Sequence, residues 1–453
     1  MRKWIKHTTT KYIDVAPLVT FRILFGITTF ISTLRFLLLG WVDLHFVDTK
    51  VQFKYFGFEW VKLLPAEWMY AIHILMLMAS IGIVFGAFYR ISAIVFFFCF
   101  TFCELIDITY YLNHYYFVSI IALLMCLVPA NVNYALDSWR NPTIRQSKVP
   151  AWTINIFKIQ LIFVYFFAGI AKINYDWLVE ALPLKIWLPA NNNLPLVGRV
   201  FNYTSTAYIF SWAGMFFDIS IGYFLLNNYT RIWGWLLLVF FHLITGLLFQ
   251  IGVFPLVMIA VTVIFFDNNV HHRLQLLMQL VFKLNGRNEV SVINLPYYEK
   301  SLNKMWLLAF FVTWFAFHLL FPLRYLLYPG NLCWTEEGYR FSWRVMLMEK
   351  AGTATFYVTD DLIGKEGVVD NKQFLNLHQE KQMAMQPDLI LQYAQFLKNH
   401  YESLGSQVSK VRAEVYVTLN AKPSKLLMAD TLNLLTVSDS WKPKTWIFPL
   451  DEK

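Results

Sequence analysis

Lys172 is the residue of this sequence whose type and position most invite chemistry. It closes the stretch Tyr165-Phe-Phe-Ala-Gly-Ile-Ala-Lys172, the end of an apolar run that begins at Ile154 and holds one other charge, Lys158. The next charge is Asp176, in an Asn-Tyr-Asp-Trp turn. A lysine so placed has two readings. It can snorkel, with its stem in lipid and its ammonium at the interface. Or it can be kept from water, so that the free amine acts as a base near neutrality. Other apolar runs also carry polar residues: Asn113 and His114 at the mouth of the fourth, His242 within the seventh, Arg22 and Arg35 in the first. For a single histidine, the plain alternative is a bundle residue bonded to a neighbour. Asn113, His114 and Lys172 fall at the same end of their runs. A carboxamide and an imidazole can orient a polar head group there while an amine removes its proton.

The elements that must position these residues are membrane helices. Of the 453 residues 57% are hydrophobic and only 15% charged, against about 25% charged in soluble domains. Crossing ~30 Å of hydrocarbon takes about 20 apolar residues. The candidate runs are roughly 17–39, 68–88, 90–108, 113–130, 154–172, 207–226, 231–249, 252–267 and 305–327. The weakest division, Gln250-Ile-Gly252, separates the seventh from the eighth. With the N-terminus inside, the inner segments hold fourteen Lys and Arg and the outer loops six, the bias of cytoplasmic loops. The net charge of +9 is therefore a topology signal rather than a nucleic-acid patch. An odd number of spans puts everything after about residue 328 outside, on the side of Lys172. The basic start, Met1-Arg-Lys-Trp-Ile-Lys-His7, precedes a run that reads as a retained span. The polar loop 268–304 reads as an amphipathic or irregular connector. Trp and Tyr in the outer loops read as interfacial belts.

From Pro329-Gly330 onward charge and turn residues become frequent. Residues 353–369 suggest two strands and a turn, Pro387 to Leu397 a helix, and Val411 to Leu419 a strand. The expected fold is an all-α polytopic membrane bundle of about nine helices, residues 1–329, followed by a small extracytoplasmic α+β domain, residues 330–453. Cys99, Cys103 and Cys126 lie in apolar runs and Cys333 in the polar part. No metal-ligand cluster, disulfide framework or soluble-enzyme signature is visible, nor paired acids within spans to mark an ion pathway.

The chain resembles the vitamin K-dependent γ-glutamyl carboxylase family and its bacterial relatives. The resemblance rests on Phe21-Arg-Ile-Leu-Phe-Gly26, Trp68-Met-Tyr70, Tyr89-Arg-Ile-Ser92, Asn113-His114, Tyr165-Phe-Phe-Ala-Gly169 with Lys172 and Asp176-Trp177, Phe241-His242, Leu248-Phe-Gln-Ile-Gly-Val-Phe254, Trp334-Thr-Glu-Glu-Gly-Tyr339 and Phe341-Ser-Trp343. Each is weak alone; their shared order over about 330 residues is specific.

What the resemblance implies is a lyase-type reaction on an isoprenoid quinol. The lysine matching Lys172 would deprotonate vitamin K hydroquinone, or a menaquinol. Reaction with O2 would yield the epoxide and a base strong enough to take a γ-proton from a peptide glutamate, whose carbanion adds CO2. Asn113, His114 and His242 would bind the quinol, with Asn113 and His114 serving catalysis beside Lys172. Trp334 and Tyr339 match the glutamate-recognition region in part. Lys185 could pair with a substrate carboxylate, its alternative being an interfacial cation. No metal is called for. The partners would be the lipid bilayer, the quinol and a glutamate-containing peptide or protein, and the place a bacterial inner membrane with the N-terminus cytoplasmic. Two departures bear on function. Ala171 stands where the animal enzymes carry a second lysine, and the part after the last span is short for propeptide docking. Two other functions therefore remain open: a quinol epoxidase or oxygenase without protein carboxylation, and a non-catalytic lipid- or quinone-binding scaffold.

Overall fold

Apolar runs in this chain become helices because a backbone in hydrocarbon must satisfy its own hydrogen bonds. A computed structural model describes residues 11–249, 251–281 and 304–450. The expectations for Met1 to His7 and for most of the loop after residue 281 lie outside the described residues.

The first helices are α1 (Ala16–Leu38), α2 (Ala66–Phe85), α3 (Tyr89–Ile106), α4 (Asn113–Leu127) and α5 (Trp152–Ala171). Then come α6 (Thr204–Leu226), α7 (Arg231–Leu248), α8 (Phe254–Thr262), α9 (Asn268–Val281) and α10 (Lys304–Leu320). Seven helical segments among the described residues are long and apolar enough to cross a membrane. The protein is a multi-pass membrane protein. The expected count of nine spans includes α4 and α8, whose segments Asn113–Leu127 and Phe254–Phe265 are shorter apolar helices. The 15 residues of α4 rise about 22 Å, short of the hydrocarbon thickness. The division after α7 does occur, and Gly252 adopts φ +61° there, a backbone region open to glycine at little cost.

A short antiparallel pair, β1 (Tyr12–Asp14) and β2 (Lys148–Pro150), joins the start of α1 to the start of α5. Arg22, fully buried within α1, donates to the carbonyls of Ala130 at 2.8 Å and Tyr134 at 2.5 Å. Its role is to hold the turn after α4.

The C-terminal unit is built on a four-stranded antiparallel sheet of order β4-β3-β5-β6. Strands β3 (Lys350–Asp360) and β4 (Lys365–Val368) form the expected hairpin, and β5 (Val408–Leu419) and β6 (Lys425–Leu426) complete the sheet. Helix α11 (Leu377–Met383) carries an Asn376–Gln379 capping box, and α12 (Pro387–Ser403) packs on β5. The alternation of β5 puts Val411, Ala413, Val415 and Val417 into the core against α12.

That core also takes Val51, Phe53 and Tyr55 from the loop between α1 and α2. Tyr55, expected in an interfacial belt, is interior. Trp60 and Trp68 remain exposed. Further contacts fasten the unit to one end of the bundle. Gln392 exchanges two hydrogen bonds with the Lys54 backbone, at 2.7 and 2.9 Å. Asp176 accepts from Lys422 at 3.0 Å and from Asn420 at 2.8 Å.

Candidate active site in a cavity shared by the helices and the C-terminal unit

Helix α5 ends where glycine lets it touch α6. A Cβ added at Gly169 would lie 2.6 Å from Ile219 Cγ1 and 2.8 Å from the Ile219 backbone nitrogen. Any larger residue there would push the helices apart. At this crossing, Asp218 of α6 faces Lys172, the C-cap of α5. Lys172 Nζ donates to Asp218 Oδ2 at 2.7 Å, and both side chains are nearly sealed from solvent at 8% and 5% exposure. It also approaches the Ala168 carbonyl at 3.3 Å. The next turn is fixed by Asn174, whose side chain accepts from the Trp177 N–H at 2.9 Å. That cap holds the Trp177 ring 5.4 Å from Lys172 Nζ, and Trp177 Nε1 donates to Ser211 of α6 at 2.9 Å. The lysine that ends the apolar run is thus a buried half of an ion pair, not a cation reaching for an interface.

Tyr165, seven residues before Lys172, lies on the same face of α5. Its hydroxyl stands 2.8 Å from His242 Nε2 on α7. His242 Nδ1 is buried and has no hydrogen-bond partner, although buried polar atoms are almost always paired. His114 stacks on Phe254, ring centroids 5.0 Å apart. Neither of its ring nitrogens has a hydrogen bond among the described residues. The short helices α4 and α8 start at Asn113 and Phe254, and their N-terminal ends border the same space.

That space is a cavity of about 950 Å³, lined by Lys172, Asp218, Tyr165, His242 and His114, and also by the segment 336–350 of the C-terminal unit. The segment is a strap of unusual backbone. Glu336, Phe341, Trp343 and Met346 all have φ between 51° and 59°, a conformation that costs non-glycine residues energy and clusters at functional sites. Buried ion pairs hold it: Lys350 with Glu336 at 2.8 Å, and Arg340 with Asp388 at 2.5 Å. Burial pushes the Asp388 carboxyl up, but the Arg340 guanidinium outweighs it and holds the acid below its ordinary range.

The profile described as HTTM domain matches residues 10–269, more than half of the chain. The profile of the vitamin K-dependent gamma-carboxylase lumenal domain matches residues 303–453. The chain belongs to the vitamin K-dependent gamma-carboxylase family. No solved structure matches it.

In this carboxylase-family protein Lys172, His114, Asn113, His242 and Tyr339 all line the one cavity. Asn113 does so with both ends of its amide engaged. Its Oδ1 accepts from Tyr111 at 3.0 Å and its Nδ2 donates to the Arg344 carbonyl at 2.9 Å. The Tyr111 hydroxyl in turn accepts from the Phe341 N–H at 2.7 Å. Asn113 therefore clasps the strap to the mouth of α4. Burial, with Cys333 and Glu336 nearby, pushes the Tyr339 hydroxyl well above its usual range, so it is a neutral donor.

Two expected substrate residues stand elsewhere. Trp334 is 1% exposed and packs in the core of the C-terminal unit, its Nε1 donating to Phe448 at 2.8 Å. Lys185 donates to the Tyr208 hydroxyl at 3.2 Å. Neither lines the cavity. Residues that sequence reasoning passed over are Asp218, Tyr165 as a partner of His242, and the strap cations Arg340, Arg344 and Lys350. A signal existed for Asp218: it is the sole charge in the run from Thr204 to Leu226, and an acid in hydrocarbon is costly unless paired. No group of three or more His, Cys, Asp or Glu able to hold a metal is found among the described residues.

Proposed function

We propose that the protein is a vitamin K-dependent γ-carboxylase. It couples oxidation of vitamin K hydroquinone, or a menaquinol, by O2 to addition of CO2 to a peptide glutamate. The observation that carries this is the Lys172–Asp218 pair, sealed in a cavity that also holds Tyr165, His242 and His114.

The residues present fit a quinol head group. The cavity volume lies at the large end of small-molecule sites, with room for a bicyclic ring beside a peptide side chain. Its walls are mostly apolar, as a lipid-soluble ligand needs, and carry polar groups at fixed points. His242 Nδ1, buried without a partner, is the clearest of these. With the Tyr165 hydroxyl donating to Nε2, Nδ1 carries the proton and offers it to a ligand oxygen. His114 offers a second imidazole, and both histidines pack on Phe254, at 5.0 and 5.7 Å between ring centroids.

Bound there, the quinol supplies with O2 the strong base that glutamate carboxylation requires. The chain supplies the first proton transfer. Lys172 and Asp218 stand 2.7 Å apart, near enough for a proton to pass between them. When that proton rests on Asp218, Lys172 presents a free lone pair to a quinol hydroxyl. When Lys172 then accepts the quinol proton, its ammonium forms beside the quinolate it has just made, with the neutral Asp218 carboxyl on its other side, so no isolated charge is buried. His242 and His114 stabilise the charge that develops on the quinol oxygen. The strap closes the far wall of the cavity and presents cations to an acidic substrate. The multi-pass bundle sits in a bacterial inner membrane, with the C-terminal unit outside.

The test is a paired assay on purified protein in detergent with vitamin K hydroquinone, O2, labelled bicarbonate and a short glutamate-containing peptide. Epoxide and fixed label are expected together. Epoxide without label would replace the carboxylase with a quinol oxygenase, and neither product would leave a quinone-binding scaffold.

A further inference from the structure

Six cations line the cavity, and three are neutralised: Lys172 by Asp218, Lys350 by Glu336 and Arg340 by Asp388. Of the other three, Arg35, Lys381 and Arg344, the buried one is Arg344. Its side chain makes no ion pair among the described residues. Only 9% of the residue is exposed, and its buried Nε has no hydrogen-bond partner. Its Cζ stands 4.2 Å from the centroid of the Tyr325 ring, which supports the flat guanidinium without satisfying its N–H groups. The backbone around it is fixed on both sides. The Arg344 carbonyl accepts from Asn113, and Trp343 stacks on Tyr116 at 5.0 Å with φ +59°. Five donors held in a rigid fork inside an aromatic wall, with no anion among the described residues paired to them, are built for a planar anion.

We propose that Arg344 is the carboxylate receptor of the cavity: its guanidinium takes the side-chain carboxylate of the substrate glutamate and makes the site select Glu over Gln. This rests on the carboxylase assignment for the identity of the anion. Pairing also serves the chemistry. The carbon that loses its proton lies next to that carboxylate, and the negative charge left by the broken C–H bond spreads onto it. A bound guanidinium offsets that charge. The proton passes to the base generated by quinol oxidation with O2, and the electron pair forms the new bond to CO2. Asn113, by holding the Arg344 carbonyl, positions the receptor at the mouth of α4, within the cavity that contains Lys172.

The test uses two fluorescent peptides, acetylated and amidated, that differ in one residue, Glu or Gln. Their binding to the full chain in detergent is read by anisotropy, without turnover. The protein should bind the Glu peptide at least tenfold more tightly. Arg344→Gln should abolish that preference with an unchanged melting temperature. Arg344→Lys, which keeps a charge but loses the fork, should reduce the preference several-fold and serves should the glutamine variant not fold. Equal binding of the two peptides by the parent overturns the proposal, as does an undiminished preference in either folded variant. Labelled bicarbonate supplied to the same samples reports the carboxylase assignment separately. A Glu preference that depends on Arg344, without fixed label, keeps the receptor and removes the carboxylase.

Discussion

Lys172 Nζ and Asp218 Oδ2 stand 2.7 Å apart inside the bundle, so the amine at the end of α5 is never alone in its low-dielectric site. Asp218→Asn keeps the volume of the acid and removes its charge and its ability to hold the shared proton. Epoxidation by this variant should fall by about 10²–10³-fold, and removing one partner of a buried pair should cost roughly 3–5 kcal/mol of stability. Asp218→Glu should recover part of the rate. Unaltered epoxidation in a folded Asp218→Asn protein would make the carboxylate a structural element only.

Gly169 sets the distance on which that pair depends. Gly169→Leu should drive α5 from α6 where Ile219 now touches, costing about 1–3 kcal/mol and separating Lys172 from Asp218. Melting temperature and epoxidation rate should fall together in this variant. A melt that falls while the rate holds would show that the close approach serves packing alone.

The Tyr165–His242 contact gives a narrower prediction. Tyr165→Phe removes the hydroxyl that fixes the imidazole and little else. A loss of about 10–100-fold in epoxidation is expected, with the peptide concentration for half-maximal rate unchanged. If instead only the peptide requirement moves, His242 belongs to the peptide side of the cavity rather than the quinol side.

The fold was largely legible because hydropathy and alternation are local. All nine apolar runs became helices, and Val411 to Leu419 lies within β5. The lengths of α4 and α8 were not, since hydropathy counts apolar residues and not the place where a helix begins. The site was legible where a polar residue interrupts an apolar run, as at Lys172, His114 and His242. Lys185 and Trp334 show the limit. Nearness in sequence to a cavity-lining segment does not decide which way a side chain turns, and Trp334 turned into the core. The strap was hidden for another reason. Glu336, Phe341, Trp343 and Met346 adopt positive φ without being glycine, so nothing in their types announces the turns they make.

The aromatic stack at the head of the bundle predicts a pH dependence. His45 lies between Trp41, 6.0 Å away, and Tyr110, 3.9 Å away between ring centroids. Burial, with His378 and His73 adding to it, lowers its pKa from 6.5 to about 4. The folded protein therefore binds this proton less readily than the unfolded chain. The stabilising contribution is complete above pH 6.5 and is lost as pH falls from 6.5 toward 4, at most roughly 3 kcal/mol. His45→Phe should keep the stack and flatten the melting temperature across that window. An equal slope in parent and variant would assign the acid sensitivity to another group.

The central claim is that Lys172 takes the proton from the quinol, and it is tested most directly by Lys172→Ala. The measurement is the epoxidation rate with saturating vitamin K hydroquinone and O2, on protein shown by its melt to be folded. A fall of at least 10³-fold, with fixed label lost in parallel, is the predicted result. Epoxide formed at the parental rate by the folded variant would contradict the account.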